Sequence, residues 1–242
     1  MKLGILETGK MTPDLEAKYG AYPDMFVRLL GNRGLHLEFD FFPILDDFFP
    51  DTVSQCDAWL ITGSRHGAYD ELPWIPRLEE FIRAAAAEKI PMVGICFGHQ
   101  IIAQALGGRV IKSEKGWGLG VNYYKIKKPA PWMSGTIDSE IAINAVHQDQ
   151  VVEIPEEAEL LVSSEFCPNA MLAYGDSIFT VQPHPEFDHE FQADLINARR
   201  GIAFEDHIAD KGIESLSQPI ENHTVADWIV DFLRQHDRSV NA

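Results

Sequence analysis

The stretch "PMVGICFGHQIIAQALGG", residues 91 to 108, restricts the fold more than any other part of the chain. A short apolar run passes through Gly94-Ile95-Cys96-Phe97-Gly98 directly into a helical pattern that a glycine pair closes. A strand that is apolar on both faces must be covered on both faces, as in the interior of a parallel sheet. Strand has to become helix at one residue, and the two glycines flank that residue.

The same alternation runs through the first half of the chain. "KLGILETG", "LHLEFDFF" and "DAWLITG" read as further strands, and "YPDMFVRLLGNRG" and "WIPRLEEFIRAAAAEK" as helices. From about residue 108 to 183 the character changes. "RVIKS", "GVNYYKI", "EIAINAV", "ELLVSSE", "AMLAY" and "IFTVQ" are short strands joined by turns, and "HEFQADLINARRG" and "TVADWIVDFLRQH" close the chain as helices. Without repeat, linker or low-complexity tract, the simplest architecture is one α/β domain with a meandering β section.

Composition narrows the function classes. With 37 Asp+Glu against 20 Lys+Arg the formal net charge is -17, a field that repels nucleic acid and anionic membrane. No run is apolar enough to span a bilayer, and "MKLGILETGK" lacks the features of a signal peptide. Cys56, Cys96 and Cys167 form neither a disulfide ladder nor a metal-ligand spacing, so a cytoplasmic protein with reduced thiols is expected.

Gly94-Ile95-Cys96-Phe97-Gly98 has the Gly-x-nucleophile-x-Gly form of a strand-to-helix elbow. Such an elbow exposes its central residue at the carboxyl edge of the sheet and aims a helix N-terminus at the sulfur, which favours thiolate. An isolated free cysteine is usually a small buried hydrophobe, the reading that suits Cys56 and Cys167. For Cys96 both glycines and Gln100 argue for a nucleophile, provided that a base exists. His184, between Pro183 and Pro185 in "FTVQPHPEF", is the candidate, with Glu186 near enough in sequence to hold its ring. His189, His207, His223 and His236 lie in polar helical stretches and read as solvated.

"GICFGHQ" followed by "QPHPEF" resembles the triad-type class I glutamine amidotransferases over roughly residues 1 to 200. With "ITGSRHGAYDELPWI", the likeness is greatest to the amidotransferase domain of GMP synthase and its stand-alone relatives, which include γ-glutamyl peptidases. The resemblance implies a three-layer, flavodoxin-like α/β sandwich whose central sheet is mostly parallel, with an additional β-rich section. It also implies a domain over residues 1–200, with residues 201–242 as a helical extension packed on it. By the same resemblance Cys96 is the nucleophile, His184 the base, and Glu186 the carboxylate that orients it. The amides of Gly63 and Phe97 would form the oxyanion hole, Gln100 would help to hold substrate, and His147 and Asp149 would border its α-amino and carboxylate groups. A turn between two strands also accounts for His147 and Asp149.

The implied chemistry is acyl transfer: attack on a γ-carboxamide, release of ammonia or an amine, and hydrolysis of a γ-glutamyl thioester. It needs no metal and no organic cofactor. The implied partner is a small molecule, glutamine or another γ-glutamyl compound. No Ser-Gly-Gly-x-Asp-type loop and no P-loop is present, so an ammonia-accepting synthetase would be a separate subunit. Three readings follow: a glutaminase-type subunit, a self-sufficient γ-glutamyl peptidase, and a non-catalytic binding or redox-sensing protein that keeps the elbow.

Overall fold

A computed structural model of the chain describes residues 1–134 and 139–237. Its strands are β1 Lys2–Glu7, β2 Glu38–Pro43, β3 Ala58–Ile61, β4 Met92–Ile95, β5 Arg109–Lys112, β6 Gly118–Ile126, β7 Glu140–His147, β8 Asp149–Glu153, β9 Ala158–Ser163, β10 Met171–Tyr174 and β11 Ile178–Val181. The helices are α1 Pro13–Tyr19, α2 Tyr22–Leu30, α3 Trp74–Ala87, α4 Phe97–Ala105, α5 His189–Arg199, α6 Asp206–Ser215 and α7 Asn222–Arg234. The last five residues of the expected extension, 238–242, lie outside the described residues.

Nine strands form one sheet in the order β2-β1-β3-β4-β11-β10-β9-β6-β7. The five from β2 to β11 run parallel, and the rest continue the sheet antiparallel. The β-rich section is thus an extension of the same sheet, joined through the β10–β11 hairpin, with a separate two-stranded β5–β8 ladder beside it. α1 and β8 have no counterpart among the elements expected from sequence, and α6 falls within the expected helical extension.

Side-chain alternation divides the interior into two layers. Leu3, Ile5, Ala58, Leu60, Val93 and Ile95 face one side and pack with Phe26 and Leu30 of α2 and Trp228, Ile229 and Phe232 of α7. Leu6, Trp59, Ile61 and Met92 face the other side and meet Ile75, Leu78 and Ile82 of α3 and Phe97 and Ile101 of α4. α3 buries Ile75, Leu78, Ile82 and Ala85, spaced three and four residues apart, so one stripe meets the sheet. Among the described residues no helix is long and apolar enough to cross a membrane.

α4 sits unusually close to the sheet. A Cβ on Gly98 would lie 2.3 Å from the carbonyl oxygen of Ile61, and one on Gly94 would lie 2.6 Å from the Gly98 carbonyl group. The two glycines therefore permit backbone-to-backbone contact, while the strained conformation falls on Cys96 between them, at φ 52° and ψ -99°. Gly98→Ala tests the contact. In a free helix the added methyl would stabilise by up to about 1 kcal/mol. Here it should destabilise by about 1–3 kcal/mol, because neither backbone can yield without moving α4 from β3. The shift in urea midpoint measures this, and an unchanged or raised midpoint would show that α4 is not pinned there.

Candidate active site

Three neighbouring parallel strands deliver the central residues from their carboxyl ends, where sites of open α/β sheets lie. Gly63 follows β3, Cys96 follows β4, and His184 follows β11. The Cys96 amide donates to the Val181 carbonyl at 2.8 Å, tying the elbow to the strand that leads to His184. Cys96 is not exposed at the sheet edge as the elbow alone suggests: it is 6% exposed and borders a cleft. It lines a cavity of about 300 Å³ together with Gly63, His147 and His184.

The 184–187 turn is held from two sides. The His184 amide donates to Asn144 O at 2.8 Å, and the Asn144 and Asn222 side chains both donate to Phe187 O, at 3.0 and 2.7 Å. The His184 ring stacks on Phe187 with centroids 4.1 Å apart and planes 3° from parallel. Its Nδ1 meets Glu186 Oε1 at 2.7 Å, and Cys96 is close enough for its charge to act on the ring. Burial alone would lower the His184 pKa; the negative charges of Glu186 and Cys96 outweigh it and raise the value to about 10.

His147 behaves in the opposite sense. It is equally buried but faces no carboxylate, so burial lowers its pKa to about 3, with His184 adding to the effect. Its Nδ1 lies 3.3 Å from Asp149 O, and its Nε2 is buried with no partner among the described residues. His147 ends β7 and Asp149 begins β8, so both belong to the turn between them and both line the cleft. Burial raises the Asp149 pKa; a hydrogen bond from Tyr69 Oη at 3.0 Å and the charge of Lys112 oppose the rise.

Gln100 also lines the cleft, but its amide nitrogen is occupied within the chain, donating to Asp149 O at 2.9 Å and to Gln182 Oε1 at 3.1 Å. That fastens α4 to the β7–β8 turn. The Thr62 carbonyl accepts from the Gly98 amide at 3.2 Å and from Thr8 Oγ1 at 2.9 Å. In a planar trans peptide the next N–H points the opposite way, so these bonds turn the Gly63 amide away from both donors. Neither the Gly63 nor the Phe97 amide has a partner among the described residues. Among the described residues no group of three or more His, Cys, Asp or Glu is placed to hold a metal ion.

Several lining residues carried no sequence signal. Tyr22, Leu195, Arg199 and Phe204 reach the cleft from α2, α5 and the turn beyond α5. Of the four histidines expected in helical stretches, His207 and His223 are exposed, whereas His236, just beyond α7, is half-buried with Nε2 2.7 Å from Asp176 O. His189, also half-buried, has an Nδ1 without a partner among the described residues.

The family model described as glutamine amidotransferase class-I matches residues 21–200. The chain is 35% identical over 201 residues to γ-glutamyl peptidase 3 of Arabidopsis thaliana, a match covering 80% of each chain. It is 34% identical to a glutamine-hydrolysing GMP synthase of Clostridium novyi over 133 residues, which cover 54% of this chain and 25% of that protein. Among solved structures, a glutamine amidotransferase from Methylobacillus flagellatus superimposes with a TM-score of 0.75 at 20% identity, covering 97% of this chain and 94% of that one.

The two histidine shifts give a titration prediction. Because the folded pKa of His184, about 10, lies above the ordinary 6.5, its protonated form stabilises the fold fully below pH 6.5, and that contribution is lost as pH rises through about 10. Imidazole NMR should therefore find His184 titrating near pH 10. Glu186→Gln should move the midpoint down, since burial then acts against one fewer negative charge. A midpoint that Glu186→Gln leaves in place would mean the carboxylate does not set this charge.

Proposed function

Because the chain belongs to the class-I glutamine amidotransferase family, we propose that it hydrolyses γ-glutamyl amides through a thioester on Cys96. The observation that carries this reading is the buried His184–Glu186 pair, 2.7 Å apart and beside Cys96 on the cleft. The Cys96 thiolate attacks the γ-carbonyl carbon, forming the S–C bond and placing negative charge on the carbonyl oxygen. The Gly63 and Phe97 amides, both without other partners among the described residues, receive that charge; one such donor is worth roughly a hundredfold or more in rate.

Collapse of the tetrahedral intermediate breaks the C–N bond, and imidazolium His184 gives its proton to the leaving nitrogen. Water then attacks the thioester, His184 takes a proton from it, and the S–C bond breaks. Glutamate leaves and the thiolate returns. The net change is γ-glutamyl amide plus water to glutamate plus amine, and Glu186 holds the imidazolium throughout. Asp149 and Lys112 suit the α-ammonium and α-carboxylate of the γ-glutamyl group, and the unpartnered Nε2 of neutral His147 is a further polar contact.

Two leaving groups divide this reading. Ammonia from glutamine suits a subunit that supplies a separate synthetase, and an amine suits a peptidase that works alone. Similarity to a γ-glutamyl peptidase over 80% of both chains favours the amine. We also read residues 201–242 as part of one unit with residues 1–200, because α6 packs on β6 and α7 on α2. Three free cysteines support a reducing compartment such as the cytoplasm.

Purified protein should release glutamate from γ-glutamyl dipeptides, and Cys96→Ser should lower kcat by on the order of a thousandfold or more. Slow turnover of glutamine alone would favour the synthetase-linked reading. Silence on every γ-glutamyl substrate by folded protein would leave the non-catalytic reading standing.

A further inference from the structure

Arg199, in the last turn of α5, is a half-buried cation on the cleft with no ion pair or side-chain hydrogen bond among the described residues. That is unusual in a chain with 37 acidic residues, since a guanidinium drawn partly out of water is normally matched by a carboxylate. Its neighbour Arg200 shows the ordinary arrangement, bonded to Asp210 at 2.7 Å. The other cations on the cleft are different. Lys10 is paired with Asp46, Arg65 is exposed, and Lys112 is exposed and close enough to feel Asp149. Arg199 alone is both half-buried and unmatched.

Its surroundings are apolar and ordered. Phe204, in the turn just beyond α5, packs edge-on against Trp117 at 4.8 Å, and Leu195 lies one turn back on the same helix. The turn is closed by Ala203 N and Phe204 N, which both donate to the Arg199 carbonyl, at 2.9 and 3.3 Å. Tyr22, stacked on Phe187 at 6.2 Å, completes the wall and lies within electrostatic range of Glu186, Arg199 and Cys96. Arg199 therefore serves the same cavity as the sulfur, on a wall built by α5 rather than by the β7–β8 turn that carries Asp149.

We propose that Arg199 binds the free carboxylate of the amine leaving group, so that the preferred substrates are γ-glutamyl α-amino acids whose second residue is apolar. This rests on the γ-glutamyl hydrolase reading above and specifies its leaving-group side. A guanidinium meets a carboxylate with two parallel N–H donors, which fixes the direction of the scissile bond as well as supplying affinity. Trp117, Phe204 and Leu195 take the apolar side chain. Ammonia, which has neither group, leaves this wall unused.

The test compares γ-glutamyl-phenylalanine with γ-glutamyl-phenethylamide, which differ only in the carboxylate, and adds γ-glutamyl-aspartate and glutamine. Wild-type protein should cleave the phenylalanine compound with kcat/KM about tenfold or more above the phenethylamide and above γ-glutamyl-aspartate. Arg199→Gln should remove the first advantage through KM and leave phenethylamide cleavage within about twofold; Arg199→Lys should keep part of it. Equal cleavage of the two compounds by wild type overturns the proposal without any variant, and so does an equal loss on both in Arg199→Gln, which would mark a structural role. Faster cleavage of glutamine than of any dipeptide also overturns it while leaving γ-glutamyl hydrolysis intact. Wild-type silence on all four substrates overturns the underlying reading together with the proposal.

Discussion

The contact on which the site depends is between two backbones. The first turn of α4 rests on the carbonyl of Ile61, so close that Gly98 has no room for a methyl group. That closeness has three effects. It brings the Gly98 amide to the Thr62 carbonyl and so fixes the peptide that presents the Gly63 N–H. It leaves Cys96 at positive φ, a strain of order 1–3 kcal/mol that persists only while the neighbours hold it. And it sets the start of α4 directly behind the sulfur, where the helix N-terminus favours an anion. A side chain at Gly94 or Gly98 would weaken all three together.

Around this elbow, burial is applied evenly and charge is not. His147 and His184 line one cleft, and removal from water pushes both toward the neutral imidazole. The negative charges of Glu186 and Cys96 reverse the outcome for His184 alone, leaving one ring charged near pH 7 and the other neutral. Two histidines in one cavity thereby take different parts, one holding a proton that can be given up and one offering an unpartnered ring nitrogen. The larger of these charges, Glu186, is held on a turn that Asn144 and Asn222 keep in place.

The sequence was legible where a requirement is local. Strand-to-helix conversion at Cys96, the proline-flanked His184 and its carboxylate two residues on all lie within spans of a few residues, and each span keeps its own geometry. The apolar runs of the first half likewise point to its parallel strands, and of the short strands between residues 108 and 183 all but β8 are legible as strands. What could not be read was where those strands join, because β6 pairs β9 and β7 across intervals with no local signal. The same holds for the cleft walls. Tyr22, Trp117 and Arg199 are distant in sequence and meet only through the packing of α2 and α5 above the sheet. Gln100 illustrates the remaining gap: its position one turn into α4 was plain, but its bonds to Asp149 and Gln182 depend on elements about fifty and eighty residues away.

The overall charge makes the local arrangement matter more. A molecule of net charge -17 offers no long-range attraction to an anionic ligand, and beyond about 8 Å at physiological ionic strength that repulsion is largely screened. In the proposed reading, recognition of a carboxylate would come from contacts inside the cleft, where a half-buried guanidinium is worth more than a fully exposed one. An acidic exterior around a cleft that carries the half-buried, unpaired Arg199 thus fits the proposed reading, in which close contacts inside the cleft rather than the overall field would recognise an anionic group.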